Sequence, residues 1–329
     1  MLGTFAPLAA SANTPTSGII AQSADMESAL KAYNSGQMDQ ALSLAKSAAK
    51  AGSTDGAVMA GHILRKGETG RIDYVEARRW YEKAAVFNHP DALVALGEMG
   101  IREQGGLTTA DAVSYLTRAS DGGRTDAMRA LADLYRTGQG VSANTDQEQV
   151  YLKRASESFD KDATKRLGDS LFESNPQEAL KHYEKAAEAG QIEAAYIAGV
   201  MYAENYDIRP DAQKSSHWLK IAAEGGHAAA QADYGLRVYQ GWGAKRSEAE
   251  AAEWFRKSAE GGDSEGQFLY AFTLAKGEGV TQNFEDAYYW VLKSGNSSVE
   301  DYNKDRQALR ERLEANVDPD ILARAKARL

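Results

Sequence analysis

Apolar and small residues recur along the chain in a long period, and each period holds two patterns typical of amphipathic helices. In the stretch 55–90, the first pattern surrounds Gly61, a glycine turn follows at Gly67, and the second pattern runs from Ala77 to Ala84. Apolar positions three or four residues apart are typical of helices that bury one face. The stretch therefore predicts a hairpin of two helices.

Copies of this hairpin follow one another along the sequence. Aligned on Trp80, the spacing between copies is 36 residues in most cases and 31 in the shortest. The equivalent positions are Leu44, Trp80, Tyr115, Tyr151, His182, Trp218, Trp254 and Trp290. A column of small residues keeps step with them: Gly61, Gly97, Ala132, Gly168, Gly199, Gly235 and Ala271. The small column indicates close helix approach, and the period predicts an all-α solenoid of about eight hairpins.

Each copy also carries residues that are typical of helix ends. Acidic residues precede another small position near the start of the first helix, at Asp55, Asp91, Asp126, Asp162, Glu193 and Glu265. We interpret them as caps that meet the positive helix N-terminus, in preference to a row of functional carboxylates. Glycines that can adopt the left-handed conformation close the second helix at Gly52, Gly123, Gly190, Gly226 and Gly262.

The repeated phrases resemble a known family. LADLYRTGQGV (131–141), LAKGEGV (274–280), WYEKAA (80–85), HYEKAAEAG (182–190) and WFRKSAEGG (254–262) match the pattern of the Sel-one-like repeat (SLR) family, which is similar to tetratricopeptide solenoids. The resemblance covers about residues 26–298. It implies a right-handed superhelix whose members assemble or regulate protein complexes, and whose bacterial members are often exported.

The segments outside the repeats predict two further regions. The uncharged segment 1–24 contains LAASA at 8–12, which resembles a signal-peptide cleavage site, so we expect either a signal remnant or a disordered tail. The first alternative implies a periplasmic or secreted protein, and the second a cytoplasmic one. Residues 25–298 form the predicted solenoid. Residues 299–329 predict two capping helices that carry Leu309, Leu313, Leu322, Ala325 and Leu329, the second beginning at Asp318-Pro319.

Charge and composition narrow the classes of partner. The net charge of −9 disfavours binding to nucleic acid or to an anionic membrane, because both require a basic surface. No apolar run reaches the roughly 20 residues that cross a bilayer. The chain has no cysteine, and no histidine pair has metal-ligand spacing. We therefore expect no membrane span, metal or cofactor.

The predicted partner-binding surface is the concave face formed by the first helices. Positions three before, one after and four after the small column should face it. In the first half of the chain these positions are mainly charged and include His62, Arg65 and Arg136. In the second half they are mainly apolar or aromatic: Tyr196, Val200, Leu236, Tyr239, Phe268 and Phe272. The hypothesis is that the aromatic part receives a peptide or helix and the charged part orients it. The alternative is that these aromatic residues are core.

Tryptophan occurs in two settings. Trp80, Trp218, Trp254 and Trp290 share one register, which favours a core between second helices over stacking platforms for sugars. Trp242 instead lies between two glycines in a turn. It is either a surface anchor for a partner or a side chain that folds back over the helix ends.

Catalytic patterns are weak in this sequence. Ser43/Lys46 and Ser47/Lys50 have the S-x-x-K spacing of serine enzymes, but they lie in alanine-rich repeat helices where both residues are ordinary. We therefore predict a non-enzymatic scaffold that binds a protein or peptide, in a setting such as envelope signalling or exopolysaccharide regulation. The alternatives are a structural part of a polysaccharide-export or envelope assembly, and a glycan-binding module.

Overall fold

Helices account for the regular structure of the chain. The computed structural model describes residues 17–204, 208–295 and 300–329. In these residues there are eighteen α-helices, one short 3-10 helix (Gln104–Gly106) and no strand. The helices are α1 Ser17–Asn34, α2 Met38–Lys50, α3 Thr54–Lys66, α4 Tyr74–Ala85, α5 Pro90–Ile101, α6 Thr109–Asp121, α7 Thr125–Thr137, α8 Thr145–Glu157, α9 Lys161–Leu171, α10 Pro176–Glu188, α11 Ile192–Ala203, α12 Ala212–Glu224, α13 Ala228–Gln240, α14 Glu248–Glu260, α15 Ser264–Lys276, α16 Phe284–Lys293, α17 Glu300–Asn316 and α18 Pro319–Lys326.

The chain divides into two compact units, residues 1–158 and 159–329. In each unit successive helices pair as hairpins, from α1/α2 to α7/α8 in unit 1 and from α9/α10 to α15/α16 in unit 2. The predicted all-α fold of about eight hairpins is confirmed. Helix α1 begins at Ser17, inside the segment predicted as a tail. The LAASA stretch lies outside the described residues, and its interpretation as a signal remnant stays a prediction.

The small column is where the two helices of a hairpin meet. A Cβ added at Gly61 would lie 2.9 Å from the ring of Tyr81, and one added at Gly97 would lie 2.5 Å from Leu116. The residue that fills this contact is therefore one position after Trp80. Tyr81 is buried, whereas Trp80 is only partly buried, so the residue after Trp80 is the core position of this hairpin. In unit 2, Phe255 is likewise buried and Trp254 partly exposed, but Trp218 is only 7% exposed and belongs to the core as predicted.

Successive hairpins also stack through glycines, but at a different place. The turn after α13 contains Gly243, and a Cβ there would lie 1.9 Å from the carbonyl oxygen of Ala212, at the start of α12. The turn after α15 repeats this contact between Gly279 and the carbonyl oxygen of Glu248. The turn of each of these hairpins therefore lies directly on the second helix of the preceding hairpin, and this close approach leaves room only for glycine.

The acids of the row lie in the opening turns of the first helices, near the positive N-terminus as predicted, but they are not the N-cap residues. The residue that caps α3 is Ser53, whose hydroxyl accepts a hydrogen bond from Gly56 N. Asp55 lies in the first turn and instead contacts His89 of the next hairpin, with 2.9 Å between Oδ1 and Nε2. Two other members of the row make the same kind of contact, Asp91 with Arg124 and Glu193 with His227. These acids therefore link neighbouring hairpins, and the capping interpretation was wrong for them.

The predicted capping helices cover the last hairpin of unit 2. Leu309 and Leu313 of α17 and Leu322 of α18 are buried with residues of α15 and α16, Tyr288 among them. The Tyr288 hydroxyl donates to Glu314 Oε1 at 2.6 Å. The second helix begins at Asp318-Pro319 as predicted, with the Asp318 carboxylate accepting from Asp320 N. Leu329 differs from the prediction because it is 67% exposed.

Phe159 stands where most of the equivalent turns have glycine. Its φ is +63°, in the left-handed region that strains residues with a Cβ, and its side chain is 88% exposed. The corresponding glycines Gly190, Gly226 and Gly262 have φ values of +82°, +88° and +89°. Phe159 therefore carries backbone strain that no burial of its ring offsets.

Replacing Phe159 with glycine should raise the free energy of unfolding by about 1 kcal/mol, because glycine adopts this conformation without the Cβ clash. Urea denaturation of both proteins measures the change. Phe87→Ala is the control, since Phe87 is also exposed, at 73%, but lies outside the left-handed region, and we expect little change there. A loss of stability in Phe159→Gly would show that the ring makes a stabilising contact.

Candidate functional site

Within each unit, first helices of successive hairpins contact one another, and we call the surface that they form in that unit its A-face. In unit 1 this surface contains a cleft of about 190 Å³ between α3 and α5. Val58, His62 and Arg65 of α3 and Glu98 of α5 line it, together with Arg124. The structure thus brings together His62 and Arg65, two of the residues predicted for the charged part of the groove.

The charges of this cleft are largely balanced within the chain. Arg65 Nη1 donates to Glu98 Oε2 at 2.6 Å, and Arg124 forms ion pairs with Asp91 and Asp126. Burial lowers the pKa of His62, which favours its neutral form near pH 7. A partner of this cleft would therefore have to compete with ion pairs that the protein already makes.

Arg136 is not part of the cleft. It extends from α7 toward Asp133 of its own helix, at 3.3 Å, and toward Glu148 of α8, at 3.8 Å. The guanidinium is half exposed. Its assignment to the partner-binding surface stays a prediction, separate from that of His62 and Arg65.

The A-face of unit 2 has a different chemistry. Tyr196 and Val200 of α11 and Leu236 and Tyr239 of α13 are each partly buried, packed on the core of this unit with the remaining surface toward solvent. We call these four side chains the apolar patch. They are neither fully core nor fully open, so the structure lies between the two sequence-based alternatives. Their assignment as partner-binding residues stays a prediction.

A hydrogen bond and a ring stack hold the tyrosines of the apolar patch in place. The Tyr239 hydroxyl donates to Glu278 Oε2 at 2.6 Å, and this contact raises the pKa of Tyr239 to about 12. The Tyr196 ring stacks on His227 with 4.3 Å between the ring centroids. Burial raises the pKa of Tyr196, so both hydroxyls stay protonated near neutral pH. The patch is therefore an apolar surface with fixed ring orientations.

Phe268 and Phe272 were predicted to extend this surface, but the C-terminal helices lie beside them. Phe268 is only 5% exposed and has the Arg306 guanidinium of α17 against its ring, so it belongs to the core. Phe272 lines a cavity of about 330 Å³ together with Leu309 and Leu313 of α17. Sequence reasoning placed both on an open groove because it could not position the capping helices.

Trp242 folds back onto its own hairpin. Its ring centroid lies 3.9 Å from Cζ of Arg237, one turn back on α13, and its carbonyl oxygen accepts a hydrogen bond from Ser216 Oγ at 3.0 Å. The ring nevertheless remains 37% exposed. Trp242 therefore combines the two sequence-based alternatives, since it packs against the helix end and still presents a surface. Its role as an anchor for a partner stays a prediction.

Sequence reasoning missed Asp233 and Arg237, two charged residues of α13 that lie near α11. Asp233 is two residues before the small column and Arg237 two residues after it. In four other hairpins the second of these positions is a buried apolar residue, Ile63, Met99, Leu134 or Met201, whereas it is the buried Thr273 in one hairpin and the exposed Ser170 in another. A comparison of the residues at this position in successive repeats would have singled them out.

The described residues show neither a metal centre nor a membrane helix. No group of three or more histidine, aspartate or glutamate side chains is placed to hold a metal ion. No helix in the described part of the chain is both long and apolar enough to span a bilayer. What the A-face offers chemically is stacking, apolar contact and hydrogen bonding from partly exposed side chains.

The chain is built of helical hairpins that follow one another, and their first helices form the A-face of each unit. This arrangement defines the class of helical-repeat scaffolds. Repeats of this class generally bind other proteins and are generally not catalytic. A family model for the Sel1 repeat matches residues 54–85, 125–158, 166–191, 192–227, 228–263 and 264–298, together more than half of the chain. The chain belongs to the Sel1 repeat family.

Two bacterial proteins illustrate the sequence similarity. An uncharacterized protein of Neisseria meningitidis, NMB1327, is 29% identical over 58% of this chain. The match covers 40% of that protein, so this chain corresponds to less than half of its length. The Sel1-repeat-containing protein YjcO of Escherichia coli is 26% identical over 58% of this chain and 72% of its own.

Solved structures show the same fold. A Sel1 repeat protein from Oxalobacter formigenes superposes with a TM-score of 0.67 at 22% identity, over 88% of this chain and 86% of its own. The protein c5321 of uropathogenic Escherichia coli strains, described as a protective antigen with an SLR fold, gives a TM-score of 0.50 at 25% identity. That match covers 93% of this chain and 75% of the other.

Proposed function

We propose that this protein is a non-catalytic adaptor that binds an extended peptide or a helix of a partner protein on the A-face of unit 2. The observation that carries the proposal is the apolar patch, in which side chains from two successive first helices keep part of their surface in solvent. Tyrosine is enriched among residues that dominate binding energy at protein interfaces. The patch therefore has the composition of a peptide-binding surface.

The fixed geometry of the patch supports the same conclusion. The Tyr239 hydroxyl is bound to Glu278, and the Tyr196 ring is stacked on His227, so both rings are held before a partner arrives. Binding to side chains that are already ordered loses less conformational entropy than binding to mobile ones. The generally protein-binding character of the repeat class agrees with this use.

The setting that we propose is the bacterial envelope, as a periplasmic or secreted component of a signalling or exopolysaccharide system. The LAASA stretch at 8–12 and the similarity to the protective antigen c5321 support this proposal. Fractionation of cells that express the chain from its natural gene tests it. Recovery in the periplasm or medium is expected, and recovery only in the cytoplasm would contradict it.

Replacing Leu236 with serine and Tyr239 with alanine tests the adaptor. Each hot-spot side chain contributes about 2 kcal/mol or more to binding, so we expect the double variant to capture its partner at least 100-fold more weakly. The measurement is affinity capture from the native host, with captured proteins quantified by mass spectrometry. Circular dichroism checks that helical content is unchanged.

The control is Phe87→Ala, which removes an exposed aromatic side chain outside the patch. Wild type and this control should capture one protein in stoichiometric amount. Equal capture by the double variant would show that the patch is not the binding surface. Retention of polysaccharide with no protein partner would instead favour the glycan-binding alternative.

A further inference from the structure

Arg237 occupies a position where the repeat normally has a buried apolar residue. The equivalent residues Ile63, Met99 and Met201 are almost completely buried, whereas Arg237 itself is partly buried. A guanidinium at such a place loses hydration, and an apolar residue of similar volume is often more stabilising than a buried charge. Stability of the fold therefore does not account for an arginine here.

The partly buried guanidinium is only partly satisfied by the described residues. Its Nε is buried and has no hydrogen-bond acceptor among the described residues. Two acids favour its charged form, Asp233, one turn earlier on α13, and Glu204, after α11, but neither forms an ion pair with it in the described part of the chain. Burial lowers the pKa of Arg237 in spite of these acids. The described residues thus compensate this positive charge only in part.

The indole ring of Trp242 packs against this guanidinium. With 3.9 Å between Cζ and the ring centroid, the indole covers one side of the charged group. A guanidinium held in this way keeps its planar set of donors in one orientation, and that set matches the two oxygens of a carboxylate. Trp242 itself is held by the hydrogen bond from Ser216 to its carbonyl oxygen.

We propose that Arg237 and Trp242 form a recognition site for a carboxylate of the partner peptide. This inference rests on the proposed function and specifies its ligand: the apolar patch of α11 and α13 holds apolar side chains, and Arg237 on the same helix holds an acidic group. The carboxylate comes either from an Asp or Glu side chain or from a free peptide C-terminus, and Trp242 contributes its exposed edge as an additional contact.

The test uses the full chain and random peptide libraries displayed on phage in two formats, one with free peptide C-termini and one with internal random segments. If the carboxylate belongs to a side chain, the peptides selected in either format should share an acidic residue. If it is the peptide C-terminus, only the first format should yield binding peptides. The two results distinguish the two sources of the carboxylate. Synthetic copies of the selected peptides are then titrated against purified protein by fluorescence polarisation.

Arg237→Met removes the charge and introduces the residue found at the equivalent Met201. We expect it to weaken binding about 10- to 100-fold, as for a lost charge-assisted hydrogen bond. The control is Arg246→Met, an equal change of charge in the adjoining turn, where the arginine is exposed and paired with Glu248. Affinity should change little in the control, and Arg237→Met should be at least as stable as wild type.

A double-mutant cycle separates recognition from a purely structural effect. If Arg237 contacts the carboxylate, replacing the peptide's acid with its amide should weaken binding to wild type but not to Arg237→Met. Equal binding of the peptides to wild type and Arg237→Met would overturn this inference and leave the proposed function intact. Failure of both libraries to yield a peptide that binds the chain would count against both the inference and the proposed function.

Discussion

Gly243→Ala should destabilise unit 2 by about 3 kcal/mol or more. The added Cβ would lie 1.9 Å from the carbonyl oxygen of Ala212, a backbone atom that cannot rotate away, and φ at this position is +71°. Both overpacking and the left-handed conformation oppose the substitution, each with a cost of about 1–2 kcal/mol or more. Urea denaturation followed by circular dichroism measures the loss.

Gly226→Ala is the matched control for this prediction. It makes the same chemical change in the same unit at a φ of +88°, but no atom lies within 4 Å of the added Cβ. Only the backbone strain then counts, and we expect a loss of about 1 kcal/mol. Equal losses at the two positions would show that the close approach of Gly243 to α12 does not contribute to the stacking of the hairpins.

Relative to wild type, the Asp233→Asn variant should become more stable as pH rises. Burial raises the pKa of Asp233 to about 6, from 3.8. Because the folded chain holds this proton more tightly than the unfolded chain, the associated stability is present at low pH and is lost as pH rises from about 4 to 6. Asparagine does not titrate. The stability of the variant minus that of wild type should therefore rise by about 2–3 kcal/mol between about pH 4 and pH 7.5.

Glu278→Gln provides a control of opposite sign. The hydrogen bond from Tyr239 lowers the pKa of Glu278, so wild type gains stability as this carboxyl group ionises. The stability of Glu278→Gln minus that of wild type should therefore fall with rising pH. The measurement for both variants is a series of urea denaturations across the pH range. A difference for Asp233→Asn that stays constant with pH would contradict the burial of that carboxyl group.

Sequence periodicity was sufficient to predict the hairpins because their contacts are repeated. Each small residue of the column meets the second helix of its own hairpin, so a contact such as Gly61 with Tyr81 recurs as Gly235 with Phe255. A helical period and a regular spacing between small residues along the chain both follow from this repetition. The left-handed glycines, such as Gly190, were predictable for the same reason.

Contacts between hairpins were harder to predict, since they depend on which side chains of neighbouring copies meet. Asp55 has the sequence position of a helix cap, but its distance to His89 is set by the stacking of two hairpins. Phe268 fits the pattern of a groove residue, and only the placement of α17 makes it core. Arg237 stands out only when it is compared with the residues at the same position in the other hairpins.

The helix α17 also affects how copies of this protein can meet. Its buried side carries Leu309 and Leu313, while Asp305, Arg310 and Glu311 on its other sides are exposed. An uncovered apolar hairpin face would favour contact with another protein surface, and solenoids require terminal caps with a polar outer face for solubility. By covering the apolar face of the last hairpin and presenting charged side chains instead, α17 opposes self-association through that face.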